Sequence, residues 1–307
     1  QARTLVAVPA LLHSAEHVSA LCQGLEGRYL ANRDPQLRFC LLTDFTDAPQ
    51  ESMFGDAELL EAARRGIAAL NTRYGDDAFL LLHRPRSWSS SEQAWIGCER
   101  KRGKLADLNL FLRGGARERF MLVEGSTEGL DGVRYVITLD ADTQLPAGSA
   151  RQMIAAMLHP LNRPLLDGAG RRVVAGHALL QPRVTSSLPS ARASRYERLW
   201  GGAPGIDPYT RTASNVYQDL FGEGSYIGKG IYEVDTYARV LGERLPANTV
   251  LSHDLLEGCY LRSGVLSDVQ LVEAWPACYS DDVARRHRWI RGDWQLAGWL
   301  GARVPAL

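Results

Sequence analysis

An alternation constrains this chain most: through its first half, short apolar runs rich in β-branched residues give way repeatedly to segments of helical period. Thr4–Val8 (TLVAV) has the pattern of a buried strand, and Ser14 offers an N-cap for a helix over Ala15–Leu25 that Gly27 can end. Leu37–Leu42 (LRFCLL) is a second strand, Ala57–Tyr74 an amphipathic helix closed by Gly75, and Ala78–Leu82 (AFLLL) a third strand. A helix includes Lys104–Leu112. Val133–Leu139 (VRYVITL) is a fourth strand, and after Pro146 a helix covers Ala147–Leu158. Strands separated by helices imply right-handed crossovers and a mostly parallel sheet covered on both faces, the α/β class. In such sheets ligands gather at the carboxyl ends of the strands. The polar residues there are Asp44, His83, Arg84, Asp140 and Asp142.

The second half is less regular. Val173–Val184 (VVAGHALLQPRV) predicts one further strand; Ser186–Tyr217 is polar with Pro, Gly and aromatics, and Phe221–Gly230 (FGEGSYIGKG) is glycine-rich. No repeat, low-complexity tract or linker divides the 307 residues, so a single domain over 1–307 is expected. Thirty-five basic residues balance thirty-five acidic ones, which leaves no broad electrostatic footprint for nucleic acid. Cys22, Cys40, Cys98, Cys259 and Cys278 are scattered without a CxxC pair, arguing against zinc and for reduced thiols. No signal peptide and no membrane-spanning apolar run is found, and the ends of the sequence suggest a piece excised from something larger.

Three constellations carry chemistry. In extended chain, residues i and i+2 share a side, so Asp140 and Asp142 can both face one site beyond the fourth strand. Carboxylate oxygens there suit Mg²⁺ or Mn²⁺; a solvated turn is the plain alternative. The glycine-rich segment departs from a Walker loop, because Gly230 rather than Ser or Thr follows Lys229; it is either a flexible turn or a backbone that must approach a substrate closely. Ser252-His253-Asp254 precedes Leu255-Leu256: a helix cap, or a carboxylate at a helix start available as general base, with Glu257 a capping residue or a second carboxylate. Arg285–Gln295 (RRHRWIRGDWQ) is a basic amphipathic helix suited to a membrane surface, or one that sets an arginine on a diphosphate and a tryptophan under a sugar ring.

In this order the pieces resemble processive inverting glycosyltransferases of the GT-A fold, such as cellulose and hyaluronan synthases. TLDADTQLP, GEGSYIGKGIYEVD, LSHDLLEGCYLRSG and RRHRWIRGDWQ look closer to one branch, the glycosyltransferase domain of cyclic β-1,2-glucan synthases (glycosyltransferase family 84). The resemblance implies a GT-A, Rossmann-like mixed sheet, mostly parallel and covered by helices. It implies UDP-glucose as donor, a growing β-1,2-glucan as acceptor, and Mg²⁺ or Mn²⁺. Asp44 resembles the aspartate that meets uracil, Lys104 the lysine of KxxxLN, and Asp140 and Asp142 the metal-binding DxD, with Asp140 also on the donor. Glu223, Gly224 and Ser225 resemble the acceptor loop. Asp254 falls at the base of the TED motif, and Arg288-Trp289 at the end of QxxRW, Arg288 on the leaving diphosphate and Trp289 under the acceptor. Two positions depart from the pattern: His253 stands where the glutamate of TED is expected, and Arg285 where the glutamine is. The branch further implies an inner-membrane protein with this domain on the cytoplasmic face, beside its membrane-spanning segments, started on a protein primer. A synthase of another β-glucan or glycolipid, or an inactive nucleotide-sugar-binding module, remains the alternative.

Overall fold

The structure is a computed structural model that describes residues 2–74, 78–187, 193–201, 216–242, 244–246, 250, 253–301 and 304. Gly75, Ser252 and parts of Ser186–Tyr217 and of the C-terminal end lie outside the described residues. The chain divides into two compact units, residues 1–141 with 233–238, and residues 142–232 with 239–307.

Unit 1 runs β1 (Arg3–Leu12), α1 (Ala15–Ala31), β2 (Leu37–Phe45), α2 (Asp56–Tyr74), β3 (Phe79–Arg84), β4 (Ser87–Ser89), β5 (Ala94–Ile96), α3 (Arg100–Phe111), β6 (Leu122–Glu124) and β7 (Val133–Thr138). Its sheet order is β7-β1-β2-β3-β6, parallel throughout except for β6. β4 and β5 form a separate antiparallel hairpin. The apolar runs explain this order. Leu5, Val6, Ala7, Phe39, Leu41, Leu42, Leu80 and Leu81 are all buried, as strands covered on both faces require. α1 and α2 pack against each other, and Tyr29 of α1 meets Phe39 of β2, Phe79 of β3 and Tyr74 of α2 at ring separations of 4.9–5.7 Å. Ser14 caps α1 as expected, its hydroxyl accepting from the His17 amide at 3.1 Å. Gly27 does not end that helix, which runs on to a cap at Asn32. A single glycine costs a helix about 1 kcal/mol, less than the burial of Arg28 and Tyr29 just beyond it returns.

Unit 2 contains α4 (Ser149–Leu158), β8 (Leu165–Leu166), β9 (Val173–Ala175), β10 (Leu179–Ser186), α5 (Arg195–Trp200), α6 (Val216–Phe221) and β11 (Gly230–Glu233), whose last residue passes into unit 1. α7 (Val234–Leu241) returns the chain, and α8 (Asp254–Leu261), β12 (Gly264–Glu273) and α9 (Tyr279–Gln295) complete it. Here β12 pairs parallel and β11 antiparallel with β10, and α4 packs against β10 and β12. Both units are therefore α/β: the sheet of unit 1 is mostly parallel, and that of unit 2 is mixed. The single strand expected over Val173–Val184 is two. Gly176 turns the chain at φ +67°, where a Cβ would stand 2.0 Å from the Arg163 carbonyl oxygen, so β9 pairs with β8 and β10 joins the main sheet. Among the described residues, no helix is long and apolar enough to cross a membrane.

Candidate active site

Unit 1 gathers charge at the carboxyl end of its strands. Asp44 and Arg84 are register partners on β2 and β3, and the pairing makes them a bidentate ion pair: Nε to Oδ1 and Nη2 to Oδ2, both 2.9 Å. Arg84 also donates to Asp107 of α3 at 2.7 Å, and Arg119 donates to the other oxygen of Asp107 at 2.7 Å. Lys104, one turn earlier on α3, donates to the carbonyl of Ala10 at the end of β1 (2.9 Å) and lies 3.4 Å from Asp44. Burial pulls the Lys104 pKa below the usual lysine range against the attraction of Asp44. Burial also opposes the charge of Arg84, but its bonds to Asp44 prevail and raise its pKa. Beneath them Thr43 and His83, the next register pair, share a 2.8 Å hydrogen bond, and burial lowers the His83 pKa to about 4. Asp44 is 1% exposed and already carries two cations. Asp44 and Lys104, predicted from separate motifs, thus belong to one buried network. Arg84, one of the strand-end residues the sequence singled out, is its centre, and Asp107 is the partner the sequence did not disclose.

Asp140 follows β7, half-buried, with Lys101 of α3 on Oδ1 at 2.5 Å. Arg28 from α1 donates to the carbonyl oxygens of Asp140 (3.4 Å) and Ala141 (2.7 Å), which fixes the backbone at the start of the DxD. The division between units falls between Ala141 and Asp142, so the two carboxylates are described with different units.

In unit 2, Asp142 is exposed and leads into buried Thr143, whose hydroxyl donates to Glu273 at the end of β12 (2.6 Å). Lys229 of the glycine-rich segment is ion-paired to the same Glu273 oxygen at 2.7 Å. Glu273 therefore ties the residue after the DxD to the glycine-rich segment, a link the sequence did not disclose. In that segment Glu223 is exposed, 3.6 Å from Arg262, while Gly224 and Ser225 are half-buried. The Gly224 amide donates to the Ser263 carbonyl at 2.7 Å. Gly228 has φ +85°, and a Cβ on it would lie 2.8 and 2.9 Å from the two carboxylate oxygens of Asp254. The close-approach reading of the segment applies at this point: the backbone of Gly228 lies directly against Asp254.

Asp254 is the first residue of α8, not its cap. Glu257, expected to cap, has a side-chain partner: its carboxylate, 1% exposed, bonds the ring Nδ1 of His253 at 2.7 Å. Arg288 and Trp289 are exposed on α9. Trp289 stacks with Arg285, which lies 4.9 Å from its ring and 5.7 Å from that of Trp275 while donating to buried Asp282 at 2.7 Å. The arginine at the expected glutamine position thus has a packing role. Trp299, just beyond that helix, packs on Leu245, Val250, Leu256 and Leu296.

Over 303 residues the chain is 46% identical to the cyclic beta-(1,2)-glucan synthase NdvB of Rhizobium meliloti (strain 1021), a match that covers 97% of the chain. The chain is homologous to one segment of that synthase. It spans 11% of the synthase's length. No protein-family model matches the chain. Crystal structures of S. aureus TarS, one in complex with UDP-GlcNAc, align over 89% of the chain and about 60% of their own, at 10–11% identity and a TM-score of 0.44. That degree of likeness adds nothing to the site.

Proposed function

We propose that this chain is the glycosyltransferase domain of a cyclic β-1,2-glucan synthase, an inverting, metal-dependent enzyme that moves glucose from UDP-glucose to the end of a growing β-1,2-glucan. The observation that carries it is 46% identity, along 97% of the chain, to a protein that bears that name. The unit 2 geometry supports the chemistry, since a carboxylate at a helix start lies directly against the backbone of the glycine-rich segment, at a glycine whose side-chain space that carboxylate occupies.

The donor residues, Asp44, Lys104 and Asp140, lie in unit 1; Asp254, Glu223, Gly224, Ser225, Arg288 and Trp289 lie in unit 2. Asp254 takes the proton from an acceptor hydroxyl, that oxygen bonds to C1 of glucose, and the bond from C1 to the diphosphate breaks with inversion. Arg288 offers its planar fork to the departing UDP. Asp140 and Asp142 would hold Mg²⁺ or Mn²⁺, because their carboxylate donors are hard oxygens of the kind these ions prefer. When bound, the ion neutralises diphosphate charge. Exposed Ile290 and Trp294 on a helix that also carries Arg288 and Arg291 support a place beside a membrane surface in the cytoplasmic part of a larger protein. The test is product analysis with UDP-glucose and sophorose. A 2-linked product is expected; 3-linked or 4-linked glucose would discard the cyclic-glucan reading, and UDP-glucose left intact would discard the transferase.

A further inference from the structure

The dyad formed by His253 and Glu257 holds buried charge that the chemistry above does not use. Both side chains are almost fully buried, 4% and 1% exposed, at the start of α8. Their donor atoms and those of Asp254 all lie within 4.8 Å of one another. Nδ1 of His253 is 2.7 Å from Glu257 Oε1 and 3.7 Å from Asp254 Oδ1. The first distance is a hydrogen bond in which the ring donates to the carboxylate; the second is too long for one. The backbone repeats the clamp, because the Glu257 amide donates to the His253 carbonyl at 3.0 Å.

A buried carboxylate is costly, and apolar residues of similar volume commonly stabilise a fold at least as well as a buried ion pair. A capping role does not account for Glu257, since its side chain bonds an imidazole. Nor does His253 cap α8 with its side chain. What the pair does is fill the space on one side of Asp254 while the Gly228 backbone bounds another. In the TED motif that this segment resembles, a glutamate stands at the place of His253; here a carboxylate follows one turn later, at Glu257.

We propose that His253, locked by Glu257, is a positioning residue for Asp254: its ring fixes the direction of the Asp254 carboxylate by packing against it, without donating a hydrogen bond to it. This rests on Asp254 being the base. A displacement of about 1 Å in a reacting group can cost on the order of 100-fold in rate, so losing the ring should lower the turnover of glucose transfer by roughly 10–100-fold. Donor binding, which the pair does not touch, should hold.

The experiment uses the natural full-length protein with UDP-glucose and sophorose, and compares Asp254→Asn, His253→Ala, His253→Asn and Glu257→Gln by kcat, donor KM and melting temperature. Asparagine can put its amide where Nδ1 stands. Expected are loss of kcat in His253→Ala at near-normal donor KM, recovery of most of it in His253→Asn, and an intermediate loss in Glu257→Gln, which keeps the bond but not the charge. If His253→Ala and Glu257→Gln both transfer at the parent rate while Asp254→Asn does not, the positioning role is overturned and the base stands. A rise in donor KM at unchanged kcat also overturns it. Should His253→Ala fail to fold, a folded His253→Asn no more active than Asp254→Asn overturns it. Transfer undiminished in Asp254→Asn overturns the base reading itself.

Discussion

His83 should make the chain acid-sensitive in a window where its carboxylates are still ionised. Burial within β3 lowers the ring's pKa from 6.5 to about 4, so the folded protein keeps it neutral while the unfolded chain protonates it near 6.5. Above pH 6.5 neither state carries the proton and His83 has no effect. As the pH falls below 6.5 the unfolded state gains protons that the folded state refuses, and stability declines until about pH 4. Each tenfold difference in proton affinity is 1.36 kcal/mol, which gives a loss of about 2 kcal/mol at pH 5 and about 3 kcal/mol below pH 4. Burial also lowers the pKa of His17 and His177, so the reading is a difference between proteins. Urea unfolding at pH 7 and pH 5 should show the parent losing about 2 kcal/mol more over that interval than His83→Asn, which keeps a partner for the Thr43 hydroxyl. Equal losses, or a ring that titrates by NMR near 6.5, would refute the argument.

Binding of UDP-glucose should weaken strongly in EDTA and in Asp140→Asn, measured by calorimetry with Mn²⁺ restored as control. Lys229→Met should leave Glu273 buried without its cation and cost about 3–5 kcal/mol in chemical unfolding. Glu223→Ala should weaken use of a β-1,2 oligomer acceptor more than it slows UDP-glucose hydrolysis, and should leave melting temperature unchanged because the side chain is exposed.

The fold of the first half was legible because each buried strand is a continuous apolar run and each helix keeps its period; Leu37–Leu42 and Ala57–Tyr74 needed no tertiary information. Edges were less so. β12 escaped notice because Ser267, Asp268 and Gln270 interrupt its apolar pattern, although Leu266–Glu273 supplies the partner that continues the sheet beyond β10. Motif residues could be placed singly, since Asp44 and Asp254 stand at element ends and Lys104 lies inside α3. Their partners could not: Arg84 meets Asp44 only through strand register, and Lys229 meets Glu273 across 44 positions of sequence. Glu257 shows the same limit at short range. The spacing i, i+4 announces contact with His253 but not that the ring nitrogen bonds the carboxylate.

Residues 233–238 belong to unit 1 although residues 142–232 separate them from the rest of it. Arg134 donates to Glu233 at 3.0 Å, and Arg113 to Asp235 at 2.6 Å, both joining that late segment to the early one. A ribosome adding about 5–20 residues per second therefore exposes an incomplete unit 1 for on the order of 5–20 s before its last piece emerges. During that wait Arg113 and Arg134 face no native acid. A gene fragment that stops at Ala141 would make this interval permanent, whereas one that ends after Ala238 supplies the missing acids. Chaperone dependence during synthesis should fall on that interval.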